Sequence, residues 1–151
     1  MLVKTDVLHS DERILEHIGN VLEVHPVAVF DVRDRGHEFP VFIDMRINQL
    51  REEGAKEEID LKPALEDYYN RHMEDSTFVA WLAFDGDQVI GTSGMSFVEK
   101  PPYFGCPSGK LGLLSSMFTN PDYRRKGIAR ELLSRVVEEA REYGCGTVQI
   151  T

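Results

Sequence analysis

The chain has 151 residues, 42% of them hydrophobic, and carries 26 acidic against 17 basic side chains, a net charge of −9. That length fits one domain that buries about 70% of its unfolded surface, and no apolar run approaches the ~20 residues a membrane span needs. The negative charge repels polyphosphate backbones, and the start Met1-Leu-Val-Lys-Thr-Asp6 lacks a basic flank before an apolar stretch, so no nucleic-acid or membrane partner is expected and the chain reads as soluble and cytoplasmic.

Taken in order, Ser10 precedes Ile14, Leu15, Ile18, Val21 and Leu22 at helical spacing, which predicts a helix over Asp11 to Glu23. Val27 to Val32 is rich in β-branched residues and predicts a strand. Pro40 then opens a helix with Phe42, Ile43, Met45, Ile47 and Leu50 on one side, and Gly54 is placed to end it. Glu52, Glu53, Glu57 and Glu58 behind it read as a solvated surface rather than as a rim that draws in a cationic substrate. A further helix over Leu61 to Met73 carries Leu65, Tyr68, Tyr69 and Met73.

The period then changes from helical to alternating. Phe78 to Phe84 and Val89 to Phe97 predict a β-hairpin about Asp85-Gly86-Asp87-Gln88. A loop with Pro101, Pro102, Gly105, Pro107 and Gly109 leads to a strand over Leu111 to Thr119, which Asn120-Pro121 terminates. Gly127 to Tyr143 is a helix with Ile128, Leu132, Leu133, Val136, Val137, Ala140 and Tyr143 in one apolar stripe, and Gly144 follows at the C′ position. Thr147 to Ile150 begins another strand. Cys106 and Cys145 have no metal-ligand spacing between them or around the five histidines, so no metal is expected.

Chemistry concentrates where the third of these strands meets the clearest helix. Asp122-Tyr-Arg-Arg-Lys-Gly-Ile-Ala-Arg130 holds four cations and one carboxylate inside an acidic chain. Cations at a helix N-terminus oppose the helix dipole, so their placement there needs a cause. A strand running through a tight turn into a helix exposes the first N–H groups, and Gly127 has no side chain to keep a ligand from them. The segment thus has the makings of a pyrophosphate cradle. It contains neither G-x-x-x-x-G-K-S/T nor G-x-G-x-x-G.

The pattern Arg124-x-x-Gly127-x-Ala129 resembles the Q/R-x-x-G-x-G/A motif of the GNAT superfamily, and Ser116 to Leu133 is similar to the family segment from its fourth strand through its third helix. Val32-Arg33 with Phe39 to Arg46 resembles the family's first strand and helix, and Phe78 to Phe97 its second and third strands. The resemblance implies an α/β fold with a mixed, mainly antiparallel central sheet flanked by helices, over a domain of residues 27–151 behind an N-terminal extension of residues 1–26.

It further implies an acyltransferase that moves an acetyl group from acetyl-CoA to an amine of a small molecule or peptide. The backbone of Met117, Phe118 and Thr119 would hold the pantetheine arm, and the N–H groups of Arg125, Lys126, Gly127, Ile128 and Ala129 the pyrophosphate. Arg124 is the motif's first residue, and Arg125, Lys126 and Arg130 supply positive field. No catalytic base is assigned: Glu38 and Glu99 are set against their reading as surface carboxylates, His37 and His72 are weaker, and Trp81 reads as core. The loop from Lys100 to Lys110 is expected to border the acceptor pocket through Tyr103 and Phe104.

A family member continues after its fifth strand with a helix and two strands, and that helix often carries the tyrosine that protonates the leaving thiolate. The sequence stops at Thr151, so the C-terminal strands and helix are read as absent: either the sequence is a fragment of a longer gene product, or residues 1–26 compensate structurally. The expectation is CoA binding with poor transfer; the alternative function is a CoA-binding module with little or no activity. One side of the last strand would be bare, which leaves room for a homodimer.

Overall fold

The change of period after Thr77 marks the middle of the fold. The computed structural model describes residues 3–6, 28–34 and 36–150, and the helix expected over Asp11 to Glu23 lies outside them. Strands β1 (Val3–Asp6) and β2 (Ala28–Asp31) are followed by helices α1 (Phe39–Glu52) and α2 (Lys62–Glu74). Then come β3 (Phe78–Asp85), β4 (Gln88–Glu99), β5 (Lys110–Leu114), β6 (Phe118–Thr119), helix α3 (Ile128–Tyr143) and β7 (Thr147–Ile150).

The strands form one sheet in the order β1-β7-β5-β4-β3-β2, with β6 also paired to β4. All pairings are antiparallel except β5 with β7, so the sheet is mixed and mainly antiparallel, as the resemblance implies. The central strands β3 and β4 are buried along most of their length because helices cover both of their faces. On one face α3 lays Leu133, Val136, Val137 and Ala140 over Val79, Met95, Phe97 and Val148. On the other, Phe42 and Ile43 of α1 and Tyr69 of α2 pack on Phe78, Ala80 and Leu82. The stripe read along α3 is thus the core face, and truncating Leu132, which is fully buried, should cost about 2–5 kcal/mol.

Two expectations need correction. The strand over Leu111 to Thr119 is not continuous. Between the pairs Met95↔Leu114 and Thr92↔Phe118, β4 advances three residues while its partner advances four, so Ser115 to Met117 form a bulge with one residue to spare. Gly94 makes room for it: a β-carbon there would lie 2.6 Å from Phe78 Cζ and 2.9 Å from the Ser116 β-carbon. Nor is the outer side of β7 bare, because β1 pairs along it from Val3↔Ile150 to Asp6↔Thr147. The ladder needs only extended backbone on the partner, which Val3–Asp6 supplies as well as any later strand.

Candidate active site

The site grows from the end of β5. The parallel ladder with β7 runs from Leu111↔Thr147 to Leu114↔Ile150, and past it β6 pairs with β4 alone among the described strands. The bulge is held from behind. Arg46 of α1 donates from Nη1 to the Ser115 carbonyl at 2.6 Å, and Thr92 donates from Oγ1 to the Ser116 carbonyl at 3.1 Å. Ser115 N–H donates back to Gly94 O at 3.3 Å. Among the described residues no acceptor meets the N–H of Ser116 or of Met117. Ser116 is buried and Met117 half-buried, and an unpaired backbone donor in such a position is a demand for a ligand or for water.

Tyr69, itself buried, stands against Ser116 from the α2 side, and burial pushes its phenol above the ordinary tyrosine range. Beyond the bulge the chain makes a turn over Pro121–Tyr123, in which Asn120 Oδ1 accepts from Asp122 N at 3.1 Å. Two ties anchor the loop that follows. Tyr123 donates its hydroxyl to Asp85 Oδ2 at 2.6 Å, in the β3–β4 turn. Arg124 bridges to Glu52 at the end of α1 at 2.7 Å and donates to Thr119 O at 2.9 Å. The Arg124 guanidinium beside Glu52 holds that carboxyl below its usual range.

Between these anchors and α3 the backbone enters the left-handed region twice, at Arg125 (φ 63°) and at Gly127 (φ 87°). Turns of this kind point successive N–H groups into one concavity, which favours an anion. From Arg125 through Arg130 no N–H has an acceptor among the described residues, and Gly127, at the N-cap, offers no side chain to supply one. Arg125 and Arg130 are exposed and make no ion pair with any described residue, while Lys126 lies over the Tyr123 ring at 5.4 Å. Free donors, the positive end of the helix dipole and unspent cations therefore meet at one place.

The residues named from the sequence fall into two groups. Met117 to Thr119 and Arg124 to Arg130 follow one another along the chain from the bulge, through β6 and the Pro121–Tyr123 turn, to the first turn of α3. Within this stretch Arg124 is spent on Glu52 and Thr119, so its part is to fix the loop. The candidate bases do not gather there. Glu99 is exposed and opposite Lys110, six residues and about 20 Å of strand before Ser116. His72 is taken up by Thr77 at 2.7 Å and by the Tyr68 ring at 4.2 Å between centroids. Glu38 sits at the N-cap of α1. Trp81 donates to Glu139 at 2.6 Å with Arg135 over its ring, at the α3 face of the sheet.

The Lys100 to Lys110 connection also lies at the start of β5, away from the bulge, where Lys110 meets the end of α3 through Tyr143 O. Tyr103 and Phe104, expected to border the acceptor pocket, thus lie in the loop that enters β5 at the end opposite the bulge. A Pro/Gly-rich loop shows where the chain turns but not at which end of the sheet. Arg46, Thr92 and Gly94, which shape the bulge, carry no sequence signal beyond ordinary helix and strand positions.

Comparison with known proteins bears on this geometry directly. The Acetyltransferase (GNAT) family model matches residues 43–151. A crystal structure from Clostridium acetobutylicum, described as a predicted acetyltransferase with acetyl-CoA, superimposes with a TM-score of 0.77 at 27% identity, over 83% of this chain and 80% of that one. A GCN5-related N-acetyltransferase from Ralstonia eutropha JMP134 shares the fold with a TM-score of 0.70 at 18% identity, over 83% of each chain. N-acetyltransferase 8B of Rattus norvegicus is 33% identical over 79 residues, which are 52% of this chain and 33% of the rat protein. The chain thus matches about a third of that curated relative's length. With the bulged strand, the left-handed turn and the helix that follows it all inside the matched region, the chain belongs to the GNAT acetyltransferase family.

Proposed function

We propose that this chain binds acetyl-CoA along the rim from Ser116 to Arg130 and transfers its acetyl group to an amine of a small molecule or peptide. The observation that carries the reading is the uninterrupted run of acceptor-free N–H groups from Arg125 to Arg130, set beside a second pair at Ser116 and Met117. Acetyl-CoA supplies an activated acyl thioester and two linked phosphates.

The chain's own residues divide the task. Backbone donors of the turn, reinforced by Arg125, Lys126 and Arg130, would take the pyrophosphate. The Met117 to Thr119 edge would align the arm that carries the thioester. A donor fixed toward the thioester oxygen stabilises the charge that develops there on attack, and a preorganised donor of this kind is worth about 10²–10³ in rate. Glu52 and Arg124 would keep the turn in place while the ligand binds.

Two readouts test the proposal. Isothermal titration with acetyl-CoA should show one saturable site, and thiol release should rise with at least one member of an amine panel. Binding without amine-dependent release would leave a CoA-binding module, and absence of binding would overturn the reading altogether.

A further inference from the structure

The bulge is supported in a way that reaches past simple pairing. Arg46 meets the Ser115 carbonyl with a charge-assisted bond of 2.6 Å, and the same Nη1 lies 2.9 Å from Gln49 Oε1, which steers it. Gln49 is buried and is tied in turn to Glu53 at 3.3 Å. The carbonyl that Arg46 grips belongs to the peptide group joining Ser115 to Ser116. That group is trans and planar, so its N–H, on Ser116, points away from the carbonyl and hence away from α1. This N–H has no acceptor among the described residues. A cation on one end of a peptide group draws electron density from the other and makes the N–H a stronger, better-fixed donor.

We infer that Arg46 is a positioning residue, which locks and polarises the Ser115–Ser116 peptide so that the bulge presents a preset donor to the acyl group. The inference rests on the functional reading above. Arg46 contacts no reacting atom: it acts through the bulge, from the opposite side of the strand. Its influence therefore falls on the rate of transfer more than on the hold over CoA, whose phosphates are met at the far end of the rim by Arg125 to Arg130. Arg46→Met keeps the bulk of the side chain and removes its donors, while Arg46→Lys restores a cation without the fork.

For Arg46→Met, kcat should fall about 10- to 100-fold, below the ~10² to 10³ of losing an oxyanion donor outright, with the Kd for CoA within about threefold of wild type. Arg46→Lys should recover part of the rate, and added guanidinium ion should partly rescue Arg46→Met but not wild type. In the ligand-free protein the Ser116 amide proton should move upfield in Arg46→Met, while the Gly144 amide stays put. Should Arg46→Met fail to fold, Gln49→Met, which leaves the arginine but removes its guide, should give a smaller loss of the same kind. Equal loss of kcat and CoA affinity, or an unmoved Ser116 amide with unchanged kcat, overturns the inference. Failure of the functional reading looks different: wild type itself then binds no acetyl-CoA.

Discussion

Helix α3 has two ends that are built alike and used differently. Both are closed by a glycine in the left-handed region, Gly127 at φ 87° and Gly144 at φ 91°. At the C-terminal end the N–H groups that follow the helix are spent within the fold. Gly144 N–H reaches Arg141 O at 3.0 Å, Cys145 N–H reaches Ala140 O at 2.9 Å, and Gly146 N–H reaches Lys110 O at 3.0 Å. At the N-terminal end six successive donors have no described acceptor, and the neighbouring bulge leaves two more. A left-handed glycine is thus a device for turning the chain. What makes one end a candidate site is that its turn leaves donors and cations unspent beside an open strand edge.

The sharpest way to break this contrast is to alter the two glycines separately. Gly127→Glu puts bulk and an anion where a pyrophosphate would approach, and should reduce acetyl-CoA binding below detection by calorimetry with the fold intact. Retained micromolar affinity would remove the site from this end of the helix. Gly144→Ala meets only ordinary contacts, 3.7 Å to the Lys110 side chain, but must hold a left-handed backbone, so it should cost about 1–2 kcal/mol of stability. Its acetyl-CoA affinity should not change, and a parallel loss there would erase the distinction between the ends.

At the same end of the helix as Gly127, Arg125 is a non-glycine residue at φ 63°. Strain of this sort costs about 1–3 kcal/mol and persists where the surroundings or the function demand it. Arg125→Gly should raise the denaturant midpoint while weakening acetyl-CoA binding several-fold, since it relieves the backbone and removes an unpaired cation. Stability and affinity falling together would show that the side chain serves the fold instead.

Much of this contrast was legible in the residues, and part of it was not. The apolar stripe of α3, the hairpin about Gly86 and the Arg124-x-x-Gly127-x-Ala129 turn follow from local rules of period, turn chemistry and helix ends, and all stand where the spacing puts them. The bulge at Ser115 to Met117 depends on a register between strands far apart in sequence, with Gly94 and Thr92 across from it. No local rule reports such a register. The pairing of β1 with β7 joins residues at opposite ends of the chain, and the placement of the Tyr103 loop depends on which end of β5 it enters. Tertiary pairing decides both.

A smaller effect separates the site from the network on the same helix at Glu139. Burial pushes this carboxyl above its ordinary range, against the pull of Trp81 Nε1 and of Arg33, which also bridges Asp31. A raised folded pKa means that the contribution is full below the unfolded value near 4.5 and is lost as pH rises through the folded value. Glu139→Gln keeps an acceptor for Trp81 and should flatten the dependence of stability on pH just above 4.5, with acetyl-CoA affinity unchanged. A stability profile of unaltered slope would place the titration elsewhere.

Unspent donors at the N-terminal end of α3 and in the bulge are the groups proposed to bind acetyl-CoA. Amide-resolved NMR during an acetyl-CoA titration tests this proposal most directly. Saturable shifts are expected at Ser116, Met117 and Arg125 to Arg130, with Gly144 to Gly146 silent. Shifts confined to the Gly144 end, or binding that leaves the Arg125 to Arg130 amides unmoved, would contradict it.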